Sequence, residues 1–149
     1  MRPARIVVAC SLASLALALP GTAQAGNASS LMFQKINQTR ARYGLAPLRS
    51  SPSLSRSSNR FASWLMAHDT FGHRGHVSAS HRFKRLGEAL ALHGGSRPGV
   101  RSTLRQWLSS SAHRAIVLSH SMRWMGASMC RGRFGRHRAV IWVLQVGKL

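Results

Sequence analysis

Two apolar, β-prone runs close the chain, residues 124–130 and 139–146, and between them lie Arg131, Gly132, Arg133, Phe134, Gly135 and Arg136. Runs of this length around a glycine-containing connection favour an antiparallel hairpin, here with a basic tip. A chain that ends on such a pair is not all-helical. Upstream of it the apolar spacing is helical, so helices first and strands last argue for an α+β arrangement, not a doubly wound parallel sheet.

The upstream periodicity divides readily. Ser29 or Ser30 can cap a helix that opens near Leu31 and runs to Tyr43, where Gly44 supplies the stop, giving a first helix over residues 30–43. Residues 45–48 form an extended linker, and Ser51-Pro52 starts a second helix, since proline is tolerated in a first helical turn. Leu54, Phe61, Leu65 and Met66 give that helix an apolar stripe, widened by Trp64, that fades near His68. Over residues 69–80 the period disappears and Gly72 and Gly75 stand among Thr70, His73 and His76, which predicts a loop. Short helical character over residues 82–92, interrupted by Gly87, is followed by a flexible stretch over 93–99. Residues 100–108 and 112–118 predict two more short helices. No internal repeat is present.

The N-terminus reads as an export leader. Arg2 and Arg5 precede an apolar stretch from residue 6 to 19, and Ala23-Gln24-Ala25 fits the small-x-small cleavage rule, so residues 1–25 are expected to be a signal peptide and residues 26–149 the mature domain. The apolar stretch is too short to span a membrane, so no transmembrane segment is expected after cleavage. Cys10 precedes most of that stretch, which is the wrong place for a lipoprotein box. With Cys10 removed, Cys130 stands alone and the domain has no internal disulfide. A chain of about 120 residues is a common single-domain size and can bury a core without such staples.

Charge is lopsided: 22 lysines and arginines face two acids, Asp69 and Glu88, for a formal charge of +20, which falls to +18 once Arg2 and Arg5 leave with the leader. Such a surface attracts polyanions of any kind, including anionic wall polymers, lipid headgroups and nucleic acid, with a steep salt dependence. Zinc-finger spacing, an RNA-recognition aromatic box and basic heptads are all missing, so specific nucleic-acid recognition is not expected. The arginines are scattered along the chain, unlike those of a membrane-lying amphipathic helix.

Scarcity makes the acids informative. Glu88, beside Gly87 in an otherwise apolar and basic stretch, is a candidate site residue, although a surface glutamate paired with one of many arginines fits the same facts. Two histidines and a carboxylate can hold zinc with positions left open, yet the eight histidines show no compact ligand spacing. No serine sits in a glycine-flanked elbow, and Cys130, with Met125 and Met129 nearby on a presumed strand, is placed to be a buried, inert thiol. The acceptor triplets at Asn37 and Asn27 arise readily by chance and carry no weight.

Four segments, in order, resemble one family. Residues 36–40 with Tyr43-Gly44-Leu45-Ala46-Pro47-Leu48, then Phe71-Gly72-His73, then Gly87-Glu88-Ala89, then Trp107 with Ser111-Ala112-His113-Arg114, are similar to the motifs of the CAP superfamily, the cysteine-rich secretory protein, antigen 5 and pathogenesis-related 1 proteins. Met125-Gly126-Ala127-Ser128 and residues 142–146 fall where its closing strands would lie. The resemblance spans the mature chain and implies a three-layer α-β-α sandwich in which His73, Glu88 and His113 converge on a cleft. It further implies a divalent cation, often zinc, held by His73 and His113 with Glu88 as a polarising neighbour. Ala89 and Ala112 replace the family's asparagine and glycine, the second glutamate of many eukaryotic members is absent over residues 108–111, and their disulfides are missing, as in a short bacterial type.

One carboxylate is a thin acid-base apparatus, because hydrolytic pairs usually divide those roles between two groups. The leading expectation is therefore a non-enzymatic domain, secreted or held at the cell wall, that binds an anionic polymer or lipid. A zinc-dependent extracellular hydrolase using Glu88 is the first alternative, and a cationic antimicrobial or polyanion-binding protein the second. Oligomeric state is left open.

Overall fold

The structure is a computed structural model that describes residues 20–149, with side chains from residue 26 onward. The expected leader lies outside the described residues except for residues 20–25, which belong to the first helix. The described elements are α1 (Pro20–Arg42), β1 (Arg49–Ser50), α2 (Pro52–Ala67), β2 (Arg85–Gly94), α3 (Val100–Ser109), α4 (Ser111–Val117), β3 (Trp124–Phe134) and β4 (His137–Lys148).

The four strands form one sheet in the order β1-β3-β4-β2, with β1 parallel to β3 and the other pairings antiparallel. The terminal hairpin is present and longer than its apolar runs, because pairing continues through the basic residues to Phe134 opposite His137. Only Gly135 and Arg136 are left for the turn, and Gly135 takes φ 57°, which suits the residue without a Cβ.

Alternation along β4 sends its side chains to two separate cores. Val140, Trp142, Leu144 and Val146 pack with Met32 and Ile36 of α1, Leu104 and Trp107 of α3 and Val117 of α4. Ala139, Ile141 and Val143 pack with Phe61, Ala62, Leu65 and Met66 of α2. Helices therefore cover both faces, which is the three-layer α-β-α sandwich implied by the resemblance.

The second helix begins and ends close to where its sequence predicts: Ser51 caps it by accepting from the Leu54 amide at 3.3 Å. At Gly126 a Cβ would overlap the Ser55 backbone, so glycine is what lets α2 lie directly on β3. Ser58 Oγ, buried at this contact, donates to the Gly126 carbonyl at 3.0 Å.

Two expectations are corrected. Residues 82–92 are not helical; Arg85–Gly94 is a strand whose Leu90 faces α2 while Ala89 and Ala91 face α3 and α4. A strand covered on both faces shows no apolar-polar alternation, and its run then looks like a short helix. The first helix starts at Pro20, not near residue 30, so Ser29 and Ser30 are interior helical residues. Its stop is as read: Leu45 N bonds Arg40 O and Gly44 N bonds Ala41 O, both at 3.0 Å, with Gly44 at φ 66°.

Two polar side chains fasten the end of α1. Asn37 accepts from the Leu48 amide at 2.9 Å and donates to the Leu48 carbonyl at 3.0 Å, which fixes the chain before β1. Arg40, 1% exposed, donates to the carbonyls of Ala46, Val117 and Ser119 at 2.9–3.0 Å and so ties α1 to the end of α4.

Candidate functional site

Strand β2 lies at one edge of the sheet, and the three candidate residues meet around it from different layers. Glu88 is on β2 and faces the α2 side with its register partner Gln145 of β4. His113 comes from α4, which packs on the opposite side. His73 comes from the loop between α2 and β2 and closes the edge.

Local structure explains each placement. A Cβ at Gly87 would lie a tight 3.1 Å from Val146 Cγ2 of β4 and an ordinary 3.5 Å from Ile116 Cγ2 of α4, the helix that carries His113, so the strand and α4 are in direct contact here. Trp107, fully buried, donates from Nε1 to the Leu90 carbonyl at 3.0 Å, which occupies a backbone group of β2 and anchors α3 beside α4. The His73 loop is held at its start by Asp69, whose Oδ1 accepts from the Gly135 amide at 2.7 Å across to the hairpin tip.

His73 Nδ1 is 2.9 Å from Glu88 Oε1, with the histidine side chain 51% and the glutamate 8% exposed. The other carboxylate oxygen, Oε2, accepts from Gln145 Nε2 at 2.8 Å. Glu88 is thus oriented from both sides. The rings of His73 and His113 are 6.4 Å apart between centroids and tilted by 46°. His113 Nδ1 is buried with no hydrogen-bond partner. Burial lowers the His113 pKa below its ordinary value, and the nearby His73 lowers it further, so the neutral imidazole prevails at pH 7.

The structure therefore brings all three predicted residues to one edge. It pairs two of them directly and leaves the third as a neutral, unpaired imidazole beside them. A zinc site takes imidazole and carboxylate ligands at about 2 Å, and the donor set here has that chemistry. Among the described residues no three His, Cys, Asp or Glu side chains already converge as a cation cage.

The family model described as the cysteine-rich secretory protein family, CAP, matches residues 33–146. The chain belongs to the CAP family. Its fold is shared with an outer surface protein from Borrelia burgdorferi at 18% identity and TM-score 0.67, over 82% of this chain and 92% of that one. An extracellular protein containing an SCP domain from Bacillus anthracis str. Ames matches at 16% identity and TM-score 0.67, over 89% of this chain and 44% of that one. A cysteine-rich secretory protein from Staphylococcus aureus matches at 17% identity and TM-score 0.56, over 85% of this chain and 40% of that one. No curated protein sequence matches the chain.

Two neighbours of the candidate site carry little signal in the sequence. Gln145 is one; its only signal was that it is polar inside the apolar run of β4. Arg74 is another, with its guanidinium 3.7 Å from the centre of the Trp64 ring. Cys130 is half-buried, not fully buried as expected, and burial pushes its thiol pKa up. No helix among the described residues is long and apolar enough to cross a membrane.

Proposed function

We propose that this chain is an exported binding domain whose edge cleft, formed by His73, Glu88 and His113, takes its ligand with the help of a divalent cation. The observation that carries this reading is His113, whose ring centroid lies 6.4 Å from that of the Glu88-bound His73 and whose buried Nδ1 has no protein partner. A buried polar atom left unpaired is costly, and ligand or cation binding is one way such a cost is offset. His73 and His113 would hold the ion, and Glu88 would orient His73, as carboxylates commonly do for ligating histidines. Bound there, the cation supplies a positive centre for an anionic group of the partner.

Binding is favoured over hydrolysis by the disposition of the two acids. Glu88 has both oxygens engaged, and Asp69 serves as an anchor between the loop and the hairpin tip. The charge accords with an anionic partner, since an exported domain of formal charge +18 attracts polyanions such as an envelope polymer or lipid. Two neighbouring structures are described as an outer surface and an extracellular protein, which accords with the export leader expected here.

Zinc titration by calorimetry tests the reading. The chain should bind one equivalent, and His73→Ala and His113→Ala should each weaken it at least tenfold. Binding unaffected by either substitution would refute it. Metal-dependent hydrolysis abolished by both variants would instead select the enzyme alternative.

A further inference from the structure

The terminal hairpin continues past the core as a two-stranded ribbon. On the face away from α2, the apolar series of β3 and β4 ends with Met129 and Val140. Alternation then puts Arg131 and Arg133 of β3 and Arg138 of β4 on that same face. Arg133 and Arg138 are register partners, directly opposite one another and both exposed, and Arg131 stands one pleat nearer the core, about 7 Å along the strand. Like charges placed opposite one another across a sheet repel.

These three arginines border a groove of about 390 Å³ that is completed by Ser96, Gly132 and Ala139. The segment carrying Ser96 is tied to the ribbon, because the Gly95 amide donates to the Arg138 carbonyl at 2.8 Å. Arg131 Nη1 donates to the Ser96 carbonyl at 3.5 Å, and Arg133 Nη2 donates to the Arg136 carbonyl at 2.9 Å. Both acceptors are neutral carbonyls, which position a guanidinium without cancelling its charge. The two acids of the chain are engaged elsewhere. Glu88 serves His73 and Gln145, and Asp69 Oδ1 holds the Gly135 amide of the turn.

We propose that this groove docks a linear polyanion, laid along the hairpin with one anionic group on Arg131 and the next on the Arg133–Arg138 pair. A single anion reaches one of these positions and leaves the other uncompensated. A chain of repeating charge serves both, and each contact after the first is made at a high effective concentration. A bilayer surface fits less well, because no apolar side chain stands beside the arginines on this face to enter it, and Phe134 of the same ribbon packs on the α2 side. The site lies beyond the opposite end of β2 from Glu88 and uses none of the cleft residues. Neither it nor the cation reading of the β2 edge requires the other.

Calorimetry of the full chain with long-chain polyphosphate, orthophosphate and phosphatidylglycerol vesicles tests it, with a chelator present to keep metal ions out. Polyphosphate should bind, and orthophosphate at the same phosphate concentration should give no heat. Arg133→Gln and Arg138→Gln should each weaken polyphosphate at least fivefold and lower the slope of log affinity against log salt by about one, as expected for one lost anion contact. Arg133→Lys, which keeps the charge, should keep that slope. Arg101→Gln and Arg105→Gln remove the same charge from exposed positions of α3 and should change affinity less than twofold. Each hairpin variant to glutamine relieves a like-charge pair, so its Tm should not fall below that of the parent. Equal weakening by the hairpin and α3 variants would mean attraction by the whole surface and would overturn the proposal. So would an absence of polyphosphate binding, or Arg133-dependent capture of vesicles by a chain that ignores polyphosphate. His113→Ala separates the two sites: polyphosphate binding should survive it, so a failure of zinc binding counts against the cleft alone, whereas polyphosphate binding lost with His113 would contradict a separate groove.

Discussion

Arg40 is a buried charge with no acid beside it, held by three backbone carbonyls. Burial pushes its pKa below the ordinary arginine value, and Arg123 adds to the shift, yet a guanidinium stays charged at any ordinary pH. Truncation would leave the carbonyls of Ala46, Val117 and Ser119 without donors at the junction of α1 and α4. Arg40→Ala should therefore cost about 3 kcal/mol in urea unfolding, since bonds to charged groups and stranded buried acceptors are each worth more than a neutral bond. A loss under about 1 kcal/mol would mean water replaces the guanidinium. His93 makes a different statement. Burial lowers its pKa from 6.5, and its Nε2 lies 2.7 Å from Thr103 Oγ1. Below 6.5 the unfolded chain takes up a proton that the folded chain resists, so stability should fall as pH drops from that value toward the folded pKa. His93→Gln should flatten this part of a thermal-stability profile recorded between pH values of about 7 and 5.

At the scale of elements, close approach decides what substitutions do. Gly126→Ala would push a methyl into the Ser55 backbone and force α2 off β3, whereas a Cβ at Gly94 meets nothing within 4 Å. Gly126→Ala should cost at least 2–3 kcal/mol, roughly the cost of overpacking, while Gly94→Ala should change unfolding by less than about 0.5 kcal/mol. Equal effects would show that α2 adjusts freely. The same elements show what the sequence could convey. Helices α2, α3 and α4 and the hairpin were legible, because Ser51-Pro52, the stripe from Leu54 to Met66 and the runs around Gly135 are local signals. Strand β2 was not, since Leu90 and Ala91 point into different cores and a doubly covered strand has no period of its own. The start of α1 was missed because the serines at 29 and 30 suit a cap as well as a helix interior. Of the site, His73, Glu88 and His113 were legible through ordered motifs. Gln145 and Arg74 were not, since one owes its role to a register partner and the other to a ring ten residues away.

Over the whole molecule, the cation-rich surface and the edge site are separable sources of binding. A purely electrostatic partner would lose affinity steeply with salt and ignore the histidines. A ligand taken at the β2 edge should respond to both. The cation role of His73 and His113 is tested most directly by where a metal goes. Crystals grown with zinc and measured at its absorption edge should show one anomalous peak about 2 Å from an imidazole nitrogen of His73 and one of His113. No peak at the β2 edge, or peaks only at histidines elsewhere such as His81 or His120, would contradict it.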